Sequence, residues 1–195
     1  MAFVLASASP RRADLLRAAG FTFDVRPVDI DETRHGDEAP GDYVLRIAGA
    51  KANAAAARWP GDVIVAADTT VAIVDPDASA RPAVVLGKPA DAGEAARMLR
   101  RLSGKAHDVL TGVVIASGSR TVTFVESTRV WFSRLSEADI TWYVASGEPM
   151  DKAGAYAIQG GASRFIPRID GSYANVVGLP VAQVAEALRA FMNGR

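Results

Sequence analysis

The chain has 195 residues, of which 49% are hydrophobic and 23% charged, a composition that is ordinary for a globular protein with a substantial core. Its 22 basic and 22 acidic residues balance, so no global positive charge favours nucleic acid and any anion-binding site must be local. The absence of cysteine excludes disulfides and cysteine metal sites, and no apolar run is long enough to span a bilayer. We therefore expect a cytoplasmic protein whose partners are neither nucleic acids nor membranes.

The first predicted elements are a buried strand over residues 1–6 and a helix that follows it. Ser9 is suited to the N-cap of this helix and Pro10 to its first position, where the missing N–H costs nothing. Arg11 and Arg12 then lie in the first turn, where the positive end of the helix dipole disfavours cations. An anion bound at this helix N-terminus explains the arrangement, and two solvated surface arginines are the alternative.

Alternating apolar runs and helical stripes predict an α/β fold with a mixed twisted sheet and flanking helices. In the first half we predict a strand over 21–28, an acidic loop over 29–37, a helix over about 42–58, strand-like segments over 63–74 on both sides of Asp68, and a loop or hairpin tip over 75–82. In the second half we predict a helix from Asp91 through Leu102, a hairpin of 107–116 with 121–132, a helix from Ser136 to about 146, a second hairpin of 165–169 with 173–177 around Asp170-Gly171, and a closing amphipathic helix through Val181 and Phe191.

Asp68 is the strongest single candidate for chemistry. It lies between the apolar runs 63–67 and 71–74, where a carboxylate is costly to bury unless it is paired or binds a cation. A general base or a metal ligand at a strand end is the functional interpretation. A turn aspartate between two strands is the structural alternative.

Three more residues are candidates because of their positions. Glu32, in the acidic loop, could share a hard divalent cation with Asp68 if the loop reaches a cleft, and is otherwise solvated. Lys51 falls on the apolar face of its helix, four residues after Ile47, where it either binds phosphate or extends along the helix to solvent. Lys88 lies in a Gly-Lys-Pro turn, and with the first-turn arginines these lysines supply enough positive charge for a polyphosphate.

The segment 151–160 is rich in small residues and ends near Gln159, whose amide could both donate and accept at a base edge or a phosphate. A structural turn that packs Tyr156 and Ile158 into the core is the alternative. The sequence contains neither a Walker P-loop nor a Gly-x-Gly-x-x-Gly fingerprint nor a Gly-x-Ser-x-Gly nucleophile elbow. The chain is therefore not a P-loop ATPase, and it lacks the motifs typical of dinucleotide-binding enzymes and of hydrolases with a nucleophile elbow.

Taken in order, these segments resemble the Maf family of nucleoside triphosphate pyrophosphatases from end to end. The matching residues are Ser7-x-Ser9-Pro10-Arg11-Arg12 with Leu15-Leu16, Glu32, Lys51, Ala67-Asp68-Thr69, Gly87-Lys88-Pro89, Ser103-Gly104 with His107 and Thr111, Asp151 to Tyr156 with Ile158-Gln159-Gly160, and Gly178-Leu179-Pro180. Several of these motifs are unspecific alone, and their joint presence in this order is highly specific.

The resemblance implies a single Maf/ITPase-like domain over 1–195, with two lobes around a deep cleft, which forms a homodimer. It also implies hydrolysis of a nucleoside triphosphate between the α- and β-phosphates, dependent on Mg²⁺ or Mn²⁺, to a monophosphate and pyrophosphate. Asp68 is then the general base, with metal ligation by Glu32 and Asp68 as its competing or additional role. The residues implied around the phosphates and the substrate are Ser7, Arg11, Arg12, Lys51, Lys88 and Gln159.

Specificity in the family tracks the positions of Arg11, Thr69 and Gln159, and these three residues resemble the branch directed at dTTP and UTP. A pyrophosphatase for 7-methyl-GTP or another purine triphosphate is one alternative function. A nucleotide-binding regulator of cell division that does not turn over its ligand is another. The insertion over 75–85, before Gly87, departs from the family pattern and bears on how Lys88 reaches the cleft.

Overall fold

The computed structural model describes residues 2–73 and 83–193, with backbone alone for 192 and 193. The loop predicted over 75–82, and with it most of the insertion before Gly87, lies outside the described residues. Within them, no helix is both long and apolar enough to cross a bilayer.

The strands of the described residues form one mixed sheet of seven members. They are β1 (Phe3–Leu5), β2 (Phe23–Val25), β3 (Ile64–Ile73), β4 (Val84–Leu86), β5 (Ala106–Ser117), β6 (Arg120–Trp131) and β7 (Arg168–Asp170). Their order is β2-β1-β3-β5-β6-β7, and β4 pairs with β3 outside that path. β1 runs parallel to β2 and β3, whereas β4 is antiparallel to β3 and β7 to β6. The predicted mixed α/β sheet is confirmed.

The described residues form six α-helices, three of which begin directly after the predicted N-caps Ser9, Asp91 and Ser136. The helices are α1 (Pro10–Ala18), α2 (Pro40–Arg58), α3 (Ala92–Leu102), α4 (Glu137–Ala145), α5 (Tyr173–Val177) and α6 (Val181–Asn193), with 3₁₀ turns at Glu148–Asp151, Ala153–Ala155 and Gly161–Phe165. The Asp91 side chain accepts a hydrogen bond from the Glu94 N–H at 2.7 Å, and Ser136 and Asp139 form a reciprocal capping box. These side chains satisfy N–H groups that the first helical turns leave without partners.

The second predicted hairpin is wrong, because residues 173–177 form helix α5 rather than a strand. β7 pairs with β6, but after Gly171 the chain turns into a helix instead of returning as a second arm. The Ser172 hydroxyl accepts the Asn175 N–H at 3.2 Å, and the Asn175 amide donates to the Val109 carbonyl at 2.9 Å. Buried donation by the Asn175 Nδ2 group in this way favours the helical turn over the extended arm.

The chain folds into two compact units. The first comprises Met1–Thr69, Thr111–Glu126 and Gly178–Arg195. In this unit one core packs β-strand residues such as Val65 and Ala67 against α1 and α6, and a second core packs Ile64 and Ala66 against α2. Because side chains alternate along a strand, Asp68 falls on the α2 face of β3 and Thr69 on the α1 and α6 face.

The second unit comprises Thr70–Leu110 and Ser127–Val177, and its core contains an aromatic cluster of His107, Phe132 and Tyr156. His107 Nε2 lies 2.8 Å from the Tyr156 hydroxyl. Burial lowers the pKa of His107 to about 4, so the ring is neutral at physiological pH. His107 therefore belongs to the core of this unit.

Candidate active site

Asp68 lies in the middle of the continuous strand β3, between Ala67 and Thr69, so both the turn aspartate and the predicted position at a strand end are wrong. It is only 8% exposed and is the one buried acidic residue in the described part of the chain. A carboxylate at such a position needs a compensating partner to stay ionised. The structure supplies one from helix α2.

Lys51 on α2 provides this partner and joins Asp68 to Glu32. Its Nζ lies 2.8 Å from Asp68 Oδ1 and 2.7 Å from Glu32 Oε1. The Lys51 side chain is only 10% exposed, so it does not extend along the helix to solvent. The structure thus brings together three of the residues predicted for the site, because the carboxylates of Glu32 and Asp68 both contact the Lys51 ammonium group.

The acidic loop is held against α2 by residues that the sequence pattern did not single out. The Tyr43 hydroxyl donates to the Glu32 carbonyl at 3.0 Å, and Arg46 donates to the Thr33 carbonyl at 3.0 Å. Tyr43 and Lys51 are eight residues apart on α2 and therefore lie on the same face of the helix. That spacing is the sequence signal by which Tyr43 could have been found.

The electrostatics around Asp68 suit a base and a cation. Burial raises the pKa of Asp68, and the charges of Lys51 and Arg12 act in the opposite direction. A carboxylate of raised proton affinity is a better general base than a solvated one. Two carboxylates against one ammonium also leave the Asp68–Lys51–Glu32 cluster with net negative charge.

The donor set of this cluster fits a hard divalent cation. Mg²⁺ is commonly bound through one or two carboxylates together with waters and substrate phosphates. Glu32 and Asp68 both direct an oxygen at the single Nζ atom of Lys51, so they already converge on one positive charge. Groups of three or more histidine, cysteine or acidic side chains suited to a metal are absent from residues 2–73 and 83–193. A cation held at this cluster would have two acidic ligands, Asp68 and Glu32, from the described residues.

Arg12 is buried, with 7% of its surface exposed, and its guanidinium points into the protein. Nε donates to the Gly178 carbonyl at 2.8 Å, and Nη1 donates to Ser7 Oγ at 3.1 Å and to the Ala67 carbonyl at 2.8 Å. Nη2 donates to Thr69 Oγ1 at 3.0 Å. The alternative of a solvated surface arginine is wrong for Arg12.

Ser7 and Thr69 belong to the same network, in which Ser7 is 5% exposed and Thr69 half-buried. Ser7 Oγ also accepts the Ser9 N–H at 3.2 Å, which shapes the loop before α1. Ser9 occupies the predicted N-cap position, but its side chain makes no capping hydrogen bond. Thr69 Oγ1 lies 2.9 Å from Thr111 Oγ1, so the hydroxyl network extends to β5. Arg11, half-buried, occupies the same first turn of α1.

Lys88 and Gln159 belong to the second unit, and both are exposed. The Gly154 N–H donates to the Gly87 carbonyl at 3.0 Å, which ties the turn of Lys88 to the segment that leads to Gln159. Lys88 also lines a cavity of about 540 Å³ together with Arg97 and Arg101 of α3. The surroundings of Lys88 are thus strongly basic.

The chain matches a family model, curated proteins and a solved structure. The family model described as "Maf-like protein" matches residues 2–191. A dTTP/UTP pyrophosphatase of Anaeromyxobacter dehalogenans is 50% identical over 190 residues, which cover 95% of this chain and 92% of that protein. The dTTP/UTP pyrophosphatase of Myxococcus xanthus is 51% identical over 185 residues, covering 95% and 90%. The solved structure of the Staphylococcus aureus Ham1 protein has a TM-score of 0.50 at 15% identity, over 100% of this chain and 99% of that one, and shows a shared fold.

Proposed function

This chain belongs to the Maf-like protein family, and from that membership and the geometry around Asp68 we propose that it is a nucleoside triphosphate pyrophosphatase. The proposed reaction converts dTTP or UTP and water to the nucleoside monophosphate and pyrophosphate. The observation that carries this proposal is the convergence of Asp68 and Glu32 on the Nζ of the buried Lys51. The names of relatives about half identical to this chain support the choice of substrate.

In the proposed reaction, Asp68 orients a water molecule for in-line attack on the α-phosphorus and takes its proton. Its Oδ1 accepts from Lys51, which leaves Oδ2 for the water. The raised pKa of Asp68, caused by burial, brings its proton affinity closer to that needed for base catalysis at neutral pH. The P–O bond to the β-phosphate breaks as the new P–O bond forms, and pyrophosphate leaves.

Negative charge on the phosphates must be neutralised for this attack, and Lys51 is already placed beside the base. A divalent cation held by Glu32 and Asp68 would neutralise negative charge on the non-bridging phosphate oxygens. It would also make a nearby water more acidic. Ser7, Arg11, Lys88 and Gln159 are proposed as further substrate-binding residues on the strength of their match to the family's motifs.

The base preference is proposed to depend on Arg11, Thr69 and Gln159. A uracil or thymine ring presents two carbonyl acceptors and one N–H donor, which an amide such as that of Gln159 can match. Arg11 has only donors, which suit these carbonyls better than the amino group of cytosine. We expect these three residues to discriminate between nucleobases, because a nucleobase with the wrong donors and acceptors leaves their polar groups without partners.

We also propose that this activity removes unwanted nucleotides from the pool, in a cytoplasmic homodimer whose whole chain acts as one catalytic domain. These proposals rest on the family resemblance. Light scattering of the purified protein tests the dimer directly, and a mass equal to one chain would contradict it.

The function is tested by pyrophosphate release from a panel of triphosphates with Mg²⁺, with Mn²⁺ and with EDTA. We expect dTTP and UTP to be hydrolysed well above CTP, dCTP, ITP and 7-methyl-GTP, and no release in EDTA. Faster hydrolysis of 7-methyl-GTP or CTP would overturn the base preference but not the reaction. Tight nucleotide binding with no turnover under any metal would overturn the reaction itself and favour a regulator.

The catalytic role of Asp68 is tested with Asp68→Asn, which keeps the volume but removes the base and the charge. We expect a loss of about 10²-fold or more in kcat with a folded protein. Asp108→Asn is the matched control, because Asp108 also lies on a strand and pairs with a cation, Arg129, at 2.8 Å. Activity of Asp68→Asn within a few-fold of the control would contradict the role.

A further inference from the structure

We propose that Arg12 is a positioning residue, which fixes strand β3 on both sides of Asp68, rather than a ligand of the triphosphate. The proposal rests on the pyrophosphatase function proposed above and names how this site is held in shape. It concerns the second arginine of the first turn of α1, whose guanidinium is directed into the protein.

The hydrogen bonds of Arg12 account for most of its donors. A guanidinium has five N–H groups, and four of them are donated to Gly178, Ser7, Ala67 and Thr69. At most one N–H is left for a ligand. A residue committed to protein acceptors in this way, and almost fully buried, has little capacity to bind a polyphosphate.

Two of these acceptors flank the proposed base. Ala67 and Thr69 are the residues immediately before and after Asp68, and Arg12 binds the carbonyl of one and the hydroxyl of the other. Because neighbouring side chains point to opposite faces of a strand, Thr69 meets Arg12 on one face while Asp68 meets Lys51 on the other. Arg12 therefore holds the backbone of Asp68 without competing for its carboxylate.

The same contacts set the direction of the Thr69 hydroxyl. Since Arg12 donates to Thr69 Oγ1, that oxygen acts as an acceptor and its own hydrogen must point elsewhere. The Gly178 carbonyl at 3.3 Å and Thr111 Oγ1 at 2.9 Å are its available acceptors. Arg12 thus orients Thr69, which is proposed to select the nucleobase. It also orients the strand that carries Asp68, the proposed general base.

A positioning role and a ligand role respond differently to lysine. A phosphate ligand keeps its positive charge in Arg12→Lys and loses at most the bidentate geometry of its contact. A lysine has one nitrogen at the end of its side chain, so it cannot reach the Gly178, Ala67 and Thr69 acceptors at once. Lysine should therefore rescue a ligand but not this planar four-way contact.

The experiment compares Arg12→Lys and Arg12→Met with wild type, with Arg17→Lys as the matched control. Arg17 lies on the same helix, where its exposed side chain pairs with Asp14 at 3.0 Å. The measurements are kcat and KM for dTTP, inhibition by added inorganic pyrophosphate, and amide hydrogen exchange of residues 67–70.

We expect both Arg12 variants to lose roughly 10²-fold in kcat, because a displacement of about 1 Å in the general base Asp68 can reduce the rate by that factor. KM and the inhibition constant of pyrophosphate should stay within about threefold of wild type, and exchange at 67–70 should accelerate in both variants. Arg17→Lys should match wild type in every measurement. A kcat preserved by lysine, together with pyrophosphate inhibition weakened tenfold or more in Arg12→Met, would overturn the proposal.

Two further results keep the proposal testable. If Arg12→Lys does not fold, Thr69→Val removes one of the contacts at constant volume and should lower kcat roughly tenfold with unchanged pyrophosphate inhibition. An unchanged kcat in that variant would contradict positioning. If the wild-type protein hydrolyses no triphosphate, the proposed function fails. The positioning role is tested separately by amide exchange, because slower or unchanged exchange at residues 67–70 in Arg12→Lys would show that Arg12 does not hold β3.

Discussion

Replacing Gly112 by alanine is expected to push helix α2 away from strand β5. A Cβ on Gly112 would lie 2.6 Å from the carbonyl carbon and oxygen of Val44 and 2.7 Å from the Leu45 nitrogen. All three are backbone atoms of α2, so no side-chain rotation relieves the contact. The φ angle of Gly112 lies outside the left-handed region, and the cost is therefore one of packing alone.

The size of the effect follows from these distances. Carbon atoms pack best at about 3.5–4.0 Å, so the backbone of α2 must retreat by roughly 1 Å. Overpacking of a core costs about 1–3 kcal/mol, and a rigid helix backbone places Gly112→Ala near the upper end. At about 2–4 °C per kcal/mol for a chain of this size, the melting temperature should fall by roughly 6–12 °C. Lys51 lies on the same helix, and a shift of that size also costs about 10²-fold in rate.

The assay combines urea unfolding, thermal unfolding and pyrophosphate release. Gly49→Ala is the matched control, because Gly49 lies within α2 and a Cβ added there would meet no atom within 4 Å. That variant should gain up to about 1 kcal/mol from helix propensity and keep its kcat. A Gly112→Ala protein with the stability and kcat of wild type would refute the close contact of α2 with β5.

Two other predictions follow from the titrating groups. The pKa of His107, about 4 in the folded protein against 6.5 when unfolded, means that the unfolded state binds more protons between these values. The free energy of unfolding should therefore fall by about 3 kcal/mol as the pH drops from 6.5 to 4, and urea titrations of His107→Gln should show a much flatter dependence. Lys51 lowers the pKa of Asp68, so Lys51→Met should move the acidic limb of the kcat profile to higher pH and slow turnover more than tenfold. An acidic limb at the wild-type position would mean that Lys51 does not act on the base.

Much of the local structure could be predicted from short stretches of sequence. Asp91 and Ser136 begin helices because their side chains accept N–H groups three residues along, a purely local interaction. The position of Lys51 on the apolar face of α2 follows from helical periodicity alone. The hairpin predicted around Asp170-Gly171 was wrong, since the local turn signal is the same whether a strand or a helix follows. Contacts of Asn175 and Ser172 with Val109 and Thr128 decided in favour of the helix.

The sequence by itself determined the α/β class and most helix boundaries, and its match to the family's motifs singled out the candidate site residues. Only the tertiary structure decided that Asp68 sits within one strand, that Lys51 joins it to Glu32, and that Arg12 turns inward. The physical reason lies in the partners of Arg12, which include the carbonyls of Ala67 and Gly178, 55 and 166 residues away along the chain. Every residue has a backbone carbonyl, so the pattern of side chains carries no sign of which ones a long, flexible arginine will meet once the chain has folded.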